Sequence, residues 1–294
     1  MGGLRGSSCF GSLDILRKLV PTPLGSEHDD FGVRASKCTS ERGRQSTIAH
    51  YVTGERLTTE KEHIDRVQRG NVSFFEQLKT EASAEWLAYT EHPFTAGLAD
   101  GTLPETSFRR YLVQDYLFLI EFARAYALAV FKSPQLSDMR DAATGLSAIL
   151  DVEMKLHVTL CASWGLSPHD LETAPPASEM LAYTRYVLDT GMRGDLLALR
   201  VALAPCVIGY AEIAARLVTR PEARAPKNPY RAWIDEYSGA PYQEVARRAR
   251  EHLDRLAELY VTPARKDELV ATFREATKLE TNFWEMGWRQ SNAG

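Results

Sequence analysis

The sequence has no run of about 18 uninterrupted apolar residues, so it indicates no membrane span. It has no CxxC pair, and the spacings of its four cysteines, Cys9, Cys38, Cys161 and Cys206, fit no zinc template. A chain of 294 residues needs no disulfide to fold, so the four read as free thiols of a reducing compartment, which places the protein in the cytoplasm. It also lacks an excess of positive charge. The formal net charge is −4, with no basic field of the size a nucleic acid needs. Alternating strand patterns, Asn-Gly hairpin signals and internal repeats are missing too. What remains is an ordinary globular balance, 44% hydrophobic and 25% charged.

Residues 1–70 differ from the rest. They hold nine of the nineteen glycines, with 11 Lys/Arg against 9 Asp/Glu. Their best apolar patch, Leu13 to Val20, is too short for a secretory signal and runs at once into Pro21 and Pro23. The acidic stretch Glu27 to Asp30 argues against a simple transit peptide. The segment is expected to be a disordered extension, with residues 71–294 as the helical body.

From Asn71 onward apolar residues recur at helical spacing. Helices are expected over residues 74–89, 106–132, 135–162, 178–188, 195–218, 230–237, 242–260 and 264–286. Short connections between them give an all-α fold, a single antiparallel bundle.

Three of these helices carry polar groups where the pattern is apolar. Asp115 sits among Leu112, Val113, Tyr116, Leu117, Phe118, Leu119 and Ile120, so it is expected to be buried. A buried carboxylate is costly unless partnered, so Asp115 is either a satisfied structural group or one that meets a ligand. Pro205 stands inside the apolar stretch 196–217, where it is expected to kink the helix and free the carbonyl of Val201. Cys206 follows it, with Tyr210 one turn on; a lone buried Cys reads as an inert small hydrophobe or as a nucleophile. Glu280 shares a face with Phe283 and reads as a solvated charge or a buried acid. Glu153 and His157, at i and i+4, are spaced wrongly for the Glu-x-x-His of diiron bundles. A polar interhelical contact is expected there, and no metal or other cofactor.

Five segments taken together, Tyr111-Leu-Val-Gln-Asp-Tyr, Leu150-Asp-Val-Glu-Met-Lys-Leu-His, Ala204-Pro-Cys-Val-Ile-Gly-Tyr-Ala-Glu, Pro229-Tyr-Arg-Ala-Trp-Ile-Asp-Glu-Tyr-Ser-Gly and Glu280-Thr-Asn-Phe-Trp-Glu-Met, resemble the TenA family. This is thiaminase II, or aminopyrimidine aminohydrolase, and the likeness runs from about Phe74 to Trp288. It implies a haem-oxygenase-like helical fold without haem, a homotetramer, and hydrolysis of a small aminopyrimidine in thiamine salvage. By the same resemblance Cys206 corresponds to the nucleophile of the cysteine-bearing branch and Glu280 to the catalytic glutamate. Asp115 corresponds to the aspartate on the aminopyrimidine edge. Tyr183, Tyr210, Tyr237 and Phe283 correspond to residues lining the site. Phe118 departs from the tyrosine some members carry there, which keeps an aromatic wall and loses a hydroxyl.

Overall fold

A computed structural model describes residues 72–289, and the expected extension over 1–70 lies outside them. Among the described residues there is no β-strand. The helices are α1 (Phe74–Glu81), α2 (Ser83–Thr90), α3 (Pro93–Asp100), α4 (Glu105–Lys132), α5 (Leu136–Ala148), α6 (Met154–Ala162), α7 (Pro168–Glu172), α8 (Ser178–Arg193), α9 (Leu196–Ala204), α10 (Tyr210–Leu217), α11 (Arg231–Ser238), α12 (Ala240–Tyr260) and α13 (Pro263–Trp288). Two one-turn π segments interrupt this series. Ile149–Glu153 joins α5 to α6, and Pro205–Gly209 joins α9 to α10.

Three differences from the sequence reading have local causes. The helix expected over 74–89 is two, because Ala82 leaves helical geometry at φ −115° and ψ 31°. The break lets Phe75 and Trp86 both close on Phe273, at centroid distances of 5.8 and 5.6 Å. Beyond it, His92 and Pro93 start a further helix rather than ending one. The His92 ring nitrogen accepts from Phe94 N–H at 3.1 Å, and Pro93 occupies the first turn, where its missing N–H costs nothing. At Pro205, where the helix was expected to be irregular, it widens into a π segment, whose turn accommodates the missing donor.

Leu196–Leu217 is long and apolar enough to cross a bilayer, yet 83% of it is buried inside the bundle. Its partners are α8, α12 and α13, so its apolar surface is the centre of the core. Long α4 lies alongside α8, α5 and α13. The second π segment packs against α12 and α13, which brings Cys206 toward the last helix. Tyr89 closes this region from α2. Its hydroxyl donates to the Pro205 carbonyl at 3.3 Å, and its ring lies so close to Gly209 that a Cβ there would run into it.

Candidate active site

Asp115 is 5% exposed, as the apolar surround predicts. Its Oδ2 accepts from His157 Nε2 at 2.7 Å and from the Tyr111 hydroxyl at 3.1 Å. The other ring nitrogen of His157, Nδ1, donates to the Glu153 carbonyl at 2.8 Å. Both neighbours of the imidazole are acceptors, so both nitrogens carry protons and His157 is an imidazolium. Burial works against that charge, but the hydrogen bond and the charge of Asp115 outweigh it and raise the His157 pKa. Both contacts fall on Oδ2 and leave Oδ1 outside them.

The Tyr111 oxygen also receives Trp233 Nε1–H at 3.3 Å and lies 3.4 Å from the Tyr210 hydroxyl oxygen. Tyr237 extends this wall, its ring 5.1 Å from Tyr210 and 4.7 Å from Trp233.

Glu280 on α13 is 2% exposed, not a solvated charge. It accepts from the Tyr183 hydroxyl at 2.9 Å. Burial pushes its pKa up to about 8; the Tyr183 hydrogen bond opposes the shift and the charge of Asp115 adds to it. Glu280 is therefore a neutral acid at pH 7. Around it, Phe118 lies 5.1 Å from Tyr183 and 5.7 Å from Phe283. Phe283 also meets Tyr111 edge-on at 6.0 Å, which joins the Glu280 wall to the Asp115 wall.

Cys206 lies on the π segment that packs against α13. It keeps solvent-accessible surface although Pro205, Val207 and Ile208 beside it are buried. Burial raises the thiol pKa well above its ordinary value, and the Glu280, Asp115 and Glu153 carboxyls, where ionised, add to the rise. All three carboxyls thus act on one sulfur. The thiol of the free site is neutral. Tyr89 is committed to Pro205, Tyr183 to Glu280, and Tyr210 lies against Tyr111.

All eight residues singled out in the sequence therefore line one region: Asp115, Phe118, Tyr183, Cys206, Tyr210, Tyr237, Glu280 and Phe283. Sequence reasoning missed Tyr111, Trp233 and the pairing of His157 with Asp115. Tyr111 was signalled by its i, i+4 spacing to Asp115. The Glu153–His157 turn is the interhelical polar contact expected of it, reaching Asp115 through the imidazole. Among the described residues no three His, Cys, Asp or Glu side chains converge on a point where a metal ion would sit. The Glu153 carboxyl is a third acid of the site, its pKa raised to about 7 by burial.

Breaking a buried ion pair leaves an uncompensated charge. His157→Ala is expected to cost about 3–5 kcal/mol of stability. Urea unfolding checks this, and a loss below about 1 kcal/mol would mean that Asp115 is not held by the imidazole.

The sequence matches the TENA/THI-4/PQQC family over residues 80–290. It is 36% identical over 220 residues to an aminopyrimidine aminohydrolase of Halalkalibacterium halodurans, covering 74% of this chain and 97% of that one. A solved structure described as a TenA family transcription regulator, from Silicibacter sp. TM1040, is 44% identical with a TM-score of 0.68, covering 73% of this chain and 96% of that one. A domain from Shewanella denitrificans with a haem-oxygenase-like fold is similar at a TM-score of 0.60 and 14% identity, over 76% of this chain and 95% of its own. The bundle has the haem-oxygenase-like fold, and the chain belongs to the TENA/THI-4/PQQC family.

Proposed function

We propose that this chain hydrolyses 4-amino-5-aminomethyl-2-methylpyrimidine to its 5-hydroxymethyl counterpart in thiamine salvage, by covalent catalysis through Cys206. One observation carries the reading: two buried carboxyls, Glu280 held by Tyr183 with its pKa raised to about 8 and Asp115 held by His157, both lie near the Cys206 thiol. A substrate that needs a proton at one ring nitrogen and an acceptor at an amino group fits that pair.

Asp115 Oδ1 accepts from the 4-amino group, and the pair with His157 keeps that carboxylate charged. Aromatic walls hold the ring by stacking. Sulfur bonds to ring carbon 6 while Glu280 gives its proton to N1 and takes the thiol proton, a net addition of S–H across the N1=C6 bond. The 4-amino lone pair then expels neutral ammonia from the protonated aminomethyl group at carbon 5, leaving an exocyclic C=CH2 and a cationic 4-iminium. Water adds to that methylene, and its proton passes through Glu280 to the departing ammonia. Reversal of the first step returns the N1 proton to sulfur, breaks the C–S bond and restores the aromatic ring.

A regulatory role, as in the description of the Silicibacter relative, gives no reason for two buried carboxyls near one thiol. The net charge of −4 also disfavours nucleic acid. The test is steady-state turnover of the aminomethylpyrimidine and of thiamine by the purified full chain. The expected result is hydrolysis of both, with the larger kcat/KM for the aminomethyl substrate. Turnover of neither would overturn the reading, and a preference for thiamine would reassign the substrate.

A further inference from the structure

Asp115 has a buried polar neighbour on α4 that the reaction above does not use. The side chain of Gln114 reaches the segment 173–177, which links α7 to α8. Its Nε2 donates to the Pro175 carbonyl at 3.1 Å, and its Oε1 accepts from the Ala177 N–H at 2.7 Å. The two partners fix the orientation of the amide, since a carbonyl only accepts and a backbone N–H only donates. Ala177 is where α8 begins. Its carbonyl accepts the first bond of that helix, from Leu181 N–H at 3.0 Å, and its methyl side chain can cap nothing. Gln114 therefore holds the backbone on which α8 starts. One turn further along α4, the Phe118 ring lies 5.1 Å from the Tyr183 ring of α8. These two contacts, one polar and one aromatic, help to set how α8 lies on α4. Tyr183 in turn donates to Glu280 at 2.9 Å.

We propose that Gln114 is a positioning residue: by clamping the start of α8 to α4, beside Asp115, it keeps the Tyr183 hydroxyl on the Glu280 carboxyl. The inference rests on the role assigned to Glu280 under the proposed function. Gln114 commits both ends of its amide to backbone outside its own helix. Pro175 and Pro176 have no N–H, so the segment has few donors with which to anchor itself. Tyr183 follows Ala177 by six residues, about 9 Å along the helix axis, so a displaced start reaches its hydroxyl. A bond of 2.9 Å is lost once its atoms part by about 1 Å. Were Gln114 only a satisfied buried amide, its loss would cost stability and leave Glu280 untouched. Gln114→Met keeps the length of the side chain and loses both bonds. Pro175 and Pro176 are exposed, so water can take the freed backbone groups.

The Tyr183 hydrogen bond holds the Glu280 pKa below the value that burial alone would give it, so loss of the bond must raise it. The titratable groups around Glu280 are Tyr183 from α8, Asp115 from α4, Tyr89 from α2, Cys206 from the π segment, Tyr210 from α10 and Tyr242 from α12. Of these only Tyr183 is hydrogen-bonded to it. The experiment follows the Glu280 carboxyl of the full chain by carbon-13 NMR through a pH titration, its signal identified by its absence in Glu280→Gln. It compares wild type, Gln114→Met, Tyr183→Phe and the double variant. The expected result is an upward shift of the Glu280 pKa by about one pH unit in Tyr183→Phe. Gln114→Met should shift it in the same direction, and the double variant no further than Tyr183→Phe. An unchanged titration in either single variant would overturn the proposal. So would a Gln114→Met shift that persists in full beside Tyr183→Phe, since Gln114 would then act by another route. Helical circular dichroism checks that the variant is folded. If it is not, Ala177→Pro removes only the Ala177 N–H bond, at a φ of −72° that already suits proline, and it must raise the Glu280 pKa for the proposal to stand. Should the chain hydrolyse no aminopyrimidine, the reaction fails and the titration still decides the clamp.

Discussion

Glu280→Gln is expected to lower the rate of hydrolysis by roughly 10²–10⁴-fold, the range for loss of a general acid, and yet to make the protein more stable at alkaline pH. The two effects have one source. The folded protein holds the Glu280 proton up to about pH 8, whereas an unfolded glutamate releases it near 4.5. Between those values the folded state binds more protons than the unfolded state, so stability falls as pH rises. The gap of 3.5 units, from 4.5 to 8, corresponds to a loss on the order of 5 kcal/mol at most. Glutamine cannot ionise and still offers a carbonyl oxygen to the Tyr183 hydroxyl. The raised pKa of His157 makes stability fall with pH in the same direction, but it does so in both proteins and cancels in the comparison. Denaturant unfolding at about pH 5 and pH 9 measures the difference. Wild type should lose stability between the two and Glu280→Gln should lose distinctly less. Parallel curves would show that Glu280 is ionised in the folded protein, and the proton relay assigned to it would have no starting proton.

The helices were legible wherever the apolar period ran unbroken. Residues 105–132 form one rod as the spacing of Phe108, Tyr111, Leu112, Leu119 and Phe122 requires, and the burial of Asp115 followed from its apolar neighbours. Breaks caused by packing were not legible. Ala82 carries no turn signal, and its position is decided by three aromatic rings that meet only in the folded core. Pro205 announced an irregularity, but whether a helix bends or widens to a π turn depends on what lies beside it, here the Tyr89 ring against Gly209. The site shows the same division. Residue types and order pointed to Cys206, Glu280 and Asp115. The partners of each were hidden, because they come from other helices: Tyr183 for Glu280, His157 for Asp115, and three carboxyls near the thiol.

That last point sharpens what removal of the sulfur should do. Cys206 has a raised pKa and is therefore not a standing thiolate, so its nucleophilicity must be released by the substrate. Cys206→Ser keeps the shape of the side chain, but an alkoxide is far less accessible than a thiolate and a hydroxyl adds poorly to an aromatic carbon. Turnover is expected to fall by about 10³-fold or more, as when a nucleophile is lost while binding survives. KM should change little, since Asp115 and the aromatic walls hold the ring. Stability should change little as well, because Cys206 is only half-buried and bulkier neighbours form the core around it. A pH profile separates this from a merely structural role. For wild type, kcat/KM should fall as pH rises through about 8, where Glu280 loses its proton, and not rise there as it would if a thiolate of ordinary pKa were the reacting species. If Cys206→Ser hydrolysed the aminopyrimidine as fast as wild type, the C–S bond would drop out of the reaction, and Glu280 would be left to activate water directly.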